Sequence, residues 1–278
     1  MFTLGVVPPI LLLIYIYKKD KREKEPMKLL LSCFICGIII ILPTIILETI
    51  LGGVFEIFMT EGSVAYAIAD GFIVAAFSEE LFKYTALKLR TWKSPDYNCS
   101  FDGIVYAVFV SLGFATLENV FYIWDGGFSV AVTRMFTAIP GHASDAVFMG
   151  FFYSLAKKAS ITGDKALEKK YKRLALLVPI ALHGLYDCLL SFEEEVVGES
   201  LVLLSLFIWL AFIVALYICT FKMVKKASEN DMYFEPLEEA PKVVNVFALK
   251  PGSWICTCKN INAGNFCPQC GEKRPFVL

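Results

Sequence analysis

The chain has 278 residues, 57% of them from the set AVILMFWYC and only 19% charged, with a mean hydropathy of +0.61. An ordinary globular chain carries about 25% charged residues, so this composition excludes disorder, a soluble nucleic-acid binder and a disulfide-rich secreted domain as whole-chain descriptions. The net charge of −1 conceals segregation, because basic residues cluster between long apolar runs.

A helix rises ~1.5 Å per residue, so a ~30 Å hydrocarbon core needs roughly 20 apolar residues. Seven such runs follow along the chain: 2–17, 27–47, 64–89, 101–123, 131–156, 174–192 and 201–221. The first is short and holds Pro8 and Pro9, where a helix begins or kinks. It lacks a basic leader region and a small-residue cleavage site, so it does not read as a signal peptide. The connections at 18–24, 88–93, 157–173 and 222–226 carry eighteen Lys and Arg, while 48–63, 124–130 and 193–200 carry none. The positive-inside rule then places the N-terminus outside and the C-terminal tail in the cytoplasm. The predicted fold is an all-α polytopic membrane protein of about seven transmembrane helices, with its lipid bilayer a cell membrane.

After the last run the character changes. Residues 1–226 read as the transmembrane domain, 227–252 as a polar, Pro-containing linker, and 253–278 as a separate small module. That module holds Cys256-x-Cys258 and Cys267-x-x-Cys270, separated by eight residues. Four thiolates so spaced can surround zinc tetrahedrally. A module this small buries little core, so the metal would supply its folding energy. A reducing cytoplasm disfavours the disulfide alternative. The expectation is a structural zinc ribbon with a docking or a regulatory role, its cytoplasmic partner unknown. Cys33 and Cys36 also have ligand spacing, but in an apolar helix they read as packing residues.

Ionisable groups inside a bilayer cost roughly 2.5–3.5 kcal/mol each on insertion scales, so they mark function. Here they concentrate in four successive runs: Glu79, Glu80 and Lys83; Glu118 with Asn119; Arg134, His142 and Asp145; His183 and Asp187. Both histidines of the chain are among them. Residues four apart share a helix face, so Glu79 aligns with Lys83 and His183 with Asp187. Two histidines with carboxylates can hold a catalytic zinc with an open position for water. The same groups without metal can activate water as a base and acid pair. Neither histidine lies in an H-E-x-x-H motif, which excludes a standard zincin. Arg134, near an outer helix end, reads as snorkelling, and Asp145 either pairs with it or lines the cavity.

Glu79-Glu80-x-x-Lys83, Phe114-x-x-x-Glu118, the lone His142 and His183-x-x-x-Asp187, in that order on four helices, resemble the PrsW intramembrane proteases, relatives of the CAAX prenyl proteases and bacteriocin-processing proteins. The resemblance covers residues 64–192 and leaves out the ribbon. It implies cleavage of membrane-anchored protein substrates in a bacterial cell membrane, anti-sigma factors being the best-known class. It also implies that Glu79 and Glu80 are the catalytic pair, with His142 and His183 as metal ligands or water-positioning groups supported by Glu118 and Asp187. The residues favour a metalloprotease with a second, catalytic zinc, and leave a metal-free glutamate mechanism open. The competing classes are a proton-coupled transporter or channel, for which the duplicated halves are missing, and a membrane scaffold or sensor acting through its ribbon. No nucleic-acid partner is expected.

Overall fold

The computed structural model describes residues 2–234, 254–256, 261–262 and 273. The chain divides into two compact units, 1–235 and 236–278.

The first unit is helical. Helix α1 spans Phe2–Lys19. Helices α2 (Met27–Ile39) and α3 (Ile41–Phe58) follow nearly end to end. Pro43 accounts for their break at Ile40, because its ring collides with the carbonyl four residues back. Helix α4 (Val64–Ala69) is capped by Ser63, whose Oγ accepts from the Tyr66 amide at 3.2 Å. It runs into a π-helical stretch, Asp70–Ala76, and then α5, Phe77–Thr91. The π-helical winding sits directly upstream of the Glu79–Glu80 pair, and such rare segments are frequent at functional sites.

Helix α6 (Asp102–Phe136) is the centre of the unit, since every residue from Asp102 to Ala115 is buried. An apolar helix with no polar face has to be surrounded on all sides, and α1, α2, α5 and α7 pack around it. Its start is held by Asp102 Oδ2, which accepts from the amides of Asn98 and Cys99 at 3.0 and 2.6 Å, and by Asp231 Oδ1, which accepts from the Phe101 amide at 2.8 Å. Helices α7 (Ala138–Ile161), α8 (Lys165–Leu190), α9 (Glu194–Val197) and α10 (Glu199–Glu229) complete the unit. In the second unit Trp254–Ile255 pairs antiparallel with Ile261–Asn262 as strands β1 and β2.

Among the described residues, four stretches are long and apolar enough to cross a membrane: Met27–Phe58, Asp102–Ile161, Lys165–Leu190 and Glu199–Glu229. Large apolar side chains on these stretches, such as Leu42 and Phe207, face outward, as expected of a lipid-facing surface.

Several boundaries differ from the sequence reading. The second run continues through Phe58, so Glu48 lies within α3 instead of in a loop. The connection 124–130 is helical apart from Gly127, whose φ of 70° reverses the chain. The segment after Gly127 folds back along the one before it, and α7 begins only at Ala138. Residues 227–234, read as linker, are folded onto the first unit: α10 runs to Glu229, and the Phe234 amide donates to the Asn98 carbonyl at 2.8 Å. Asp231 explains this, because it caps α6.

Candidate active site

Close helix approach assembles the site. A Cβ on Gly71 would lie 2.6 Å from the Cys188 amide nitrogen, and one on Gly184 would strike the Phe72 ring. Small residues let helix backbones meet, and this contact seats α8 against the π-helical segment. His183 is thereby carried to Glu80.

The first turns of α5 place Glu79, Glu80 and Lys83 on one face. Lys83 Nζ donates to Glu79 Oε2 at 2.7 Å and to Glu80 Oε1 at 2.8 Å. Its third neighbour is His142 Nδ1 on α7, at 3.2 Å. An ammonium only donates, so His142 Nδ1 accepts and the ring proton belongs on Nε2. That Nε2 lies 2.9 Å from Glu118 Oε2 on α6. The His142 backbone is fixed as well, its carbonyl accepting from Ser111 Oγ at 2.9 Å. His183 bridges two carboxylates, with Nδ1 at 3.0 Å from Glu80 Oε1 and Nε2 at 3.1 Å from Asp187 Oδ2. The two imidazoles meet edge to face with centroids 5.4 Å apart. Glu79, Glu80, Lys83, His142 and His183 are all at least 94% buried. The Phe114 ring lies 4.4 Å from Lys83 Nζ, so Phe114-x-x-x-Glu118 puts an aromatic face on the ammonium and a carboxylate on the histidine.

Glu79, Glu118, His142, His183 and Asp187 open onto one cavity of about 510 Å³, whose lining does not include Glu80 or Lys83. All six sequence-predicted residues of the membrane site thus belong to one bonded network. Of the ribbon ligands, Cys256 is buried, while Cys258, Cys267 and Cys270 lie outside the described residues.

Arg134 does not snorkel. Its guanidinium pairs with Glu118 Oε2 at 2.8 Å, donates from Nε to Asn119 Oδ1 at 2.7 Å, and lies 3.8 Å from the Tyr122 ring centroid. The Gly127 reversal makes these contacts possible. Sequence reasoning also missed Glu48 and Asp70 as cavity residues, and for Asp145 it left open pairing with Arg134 or lining the cavity, of which the structure shows the second. Asp145 is 96% buried, lines the cavity one helical turn from His142, and keeps Oδ1 without a hydrogen-bond partner. Its spacing from His142 was the available signal.

The donor set suits a hydrolytic metal ion. One ligand atom from each of Glu79, Glu80, His142 and His183 lies within 4.8 Å of all the others, and imidazole with carboxylate is a zinc-type combination. Three of those four residues also bond the Lys83 ammonium.

The profile of the PrsW family intramembrane metalloproteases matches residues 25–218, which contain every helix of this site. The chain belongs to the PrsW family. Among curated relatives, Protease PrsW of Geobacillus kaustophilus is 35% identical over 214 residues, covering 76% of this chain and 89% of the relative. Protease PrsW of Bacillus subtilis is 34% identical over 197 residues, covering 69% and 83%. Protease PrsW of Clostridioides difficile is 31% identical over 213 residues, covering 75% and 87%. No solved structure matches the chain. It is an integral bacterial membrane protein and an intramembrane protease, and its substrates are membrane-anchored proteins.

Proposed function

We propose that Glu79 is the general base of peptide-bond hydrolysis in the membrane, with His142 and His183 beside it and Glu80, Glu118 and Asp187 as positioning residues. The observation that carries this reading is the division of the carboxylate pair. Glu79 opens onto the cavity, whereas Glu80 is bonded behind it to Lys83 and His183. A water between Glu79 and the scissile carbonyl gives its proton to the carboxylate as its oxygen bonds the carbonyl carbon. As the C–N bond breaks, the proton passes from Glu79 to the departing nitrogen, and the carboxylate is restored. His142 and His183, with a carboxylate of the Glu79–Glu80 pair, would hold a catalytic zinc ion, whose chemistry there is polarisation of the carbonyl and acidification of water.

The remaining parts of the proposal rest on sequence. The eighteen-to-none distribution of basic residues supports seven spans with the N-terminus outside and the C-terminus cytoplasmic. Cys256, Cys258, Cys267 and Cys270 form a structural zinc ribbon for a cytoplasmic partner, and the substrates are anti-sigma factors or similar single-pass proteins. The test is expression in a bacterial host, with mass spectrometry of membrane proteins for new termini inside membrane-spanning segments. Such termini are expected with the wild type and absent with Glu79→Gln. Equal fragments from both would overturn the assignment of Glu79.

A further inference from the structure

The position of Lys83 at the middle of the donor set carries a consequence for metal binding. An ammonium has three N–H groups and no acceptor. Here its three neighbours are Glu79 Oε2, Glu80 Oε1 and His142 Nδ1, at 2.7, 2.8 and 3.2 Å. Those residues are three of the four whose ligand atoms converge within 4.8 Å. Lys83 is 99% buried, and the Phe114 ring 4.4 Å away caps the ammonium. The lone pair that His142 would offer a metal through Nδ1 is engaged by this ammonium, and its Nε2 faces Glu118.

We propose that Lys83 is the resident cation of this centre, occupying the ligand space of a metal ion, so that a divalent cation enters only as the lysine leaves. The inference rests on the reading of these residues as the reaction centre and adds what controls its loading. Two adjacent carboxylates in a low-dielectric interior require a neutralising cation, and a covalently attached one keeps the helices together whether or not a metal is present. When a binding-competent arrangement is only a minor fraction of the population, the apparent affinity falls by that fraction. If the lysine-out arrangement is a tenth of the population or less, removing the charge strengthens metal binding by about tenfold or more.

The experiment is a Mn2+ titration of the full chain in detergent, read by loss of the free-ion electron paramagnetic resonance signal. Mn2+ prefers oxygen and nitrogen donors, and the tail thiolates prefer zinc. Lys83→Met is expected to bind one Mn2+ about tenfold or more tightly than the wild type, and adding Glu79→Gln is expected to abolish the gain. Lys83→Arg, which keeps the cation, is expected to stay as weak as the wild type. Should the methionine variant not fold, Lys83→Gln keeps an amide donor for the carboxylates and gives the same comparison. A folded neutral variant that binds Mn2+ no more tightly than the wild type overturns the proposal. Cleavage surviving in Glu79→Gln would sink the assignment of that residue as base without altering the Mn2+ comparison, so the two failures are distinguishable.

Discussion

Two groups of buried carboxylates in this chain are treated in opposite ways. In the membrane site, Glu79 and Glu80 share the Lys83 ammonium, and Glu118 has the Arg134 guanidinium. Where α1 meets α2, Asp20 is fully buried with neither carboxylate oxygen partnered, and Glu25 receives a short hydrogen bond from the Tyr106 hydroxyl. Burial pushes Asp20 up to about 6, and burial pushes Glu25 up to about 7 despite the Tyr106 bond. The first group is held by cations, whereas in the second burial raises both carboxyl pKa values. On the proposed reading the cation-held group contains the base, Glu79, and the second group is structural.

The contrast breaks most visibly in the membrane site. Glu79→Gln or His183→Ala is expected to lower cleavage by about 10²–10⁴-fold, the usual worth of a positioned acid or base, with retained helicity as the check on folding. A smaller loss, roughly 10–100-fold, is expected for Glu118→Gln, because it leaves His142 unoriented without removing a reacting group. Arg134→Met should match it if the guanidinium acts through Glu118, and the double variant should then be no worse than either alone. Gly71→Ala is expected to cost about 1–3 kcal/mol of stability, read as a lower Tm, because its Cβ would meet the α8 backbone.

The smallest effect belongs to the other group. Glu25 has its folded-state pKa raised from 4.5 to about 7. Its stabilising contribution is therefore complete below about pH 4.5 and is lost as the pH rises towards 7, because the folded state holds the proton more tightly. The Tm of the wild type is expected to fall between pH 5 and pH 8, and Glu25→Gln should flatten that slope in part. The residual slope belongs to Asp20 and the other buried carboxylates. A Tm that rises with pH over this interval, or a slope unchanged in Glu25→Gln, would contradict the comparison.

The helical class and the membrane-site residues were legible in the sequence because both depend on local signals. Long apolar runs declare themselves by length, and buried Glu, His and Asp are conspicuous against them. The i, i+4 spacing even gave the Glu79–Lys83 pair. Contacts between helices were not legible. That Lys83 reaches His142 follows from packing among α5, α6 and α7, and no spacing within α5 encodes it. Arg134 is the plainest case. Sixteen residues of straight helix would separate it from Glu118 by about 24 Å, and only the reversal at Gly127 brings the two to 2.8 Å. A glycine in an apolar run is an ambiguous sign, since it also serves close helix packing, as Gly71 does. Glu48 was misplaced for a related reason: an acidic residue looked like the end of a span, although it faces a polar cavity.

The most direct test of the central claim compares two glutamate variants in the same membranes. Glu79→Gln and Glu25→Gln each remove one buried carboxylate, and the products are identified by termini inside membrane-spanning segments. Background levels are expected with Glu79→Gln and wild-type levels with Glu25→Gln. Wild-type cleavage with Glu79→Gln would contradict it.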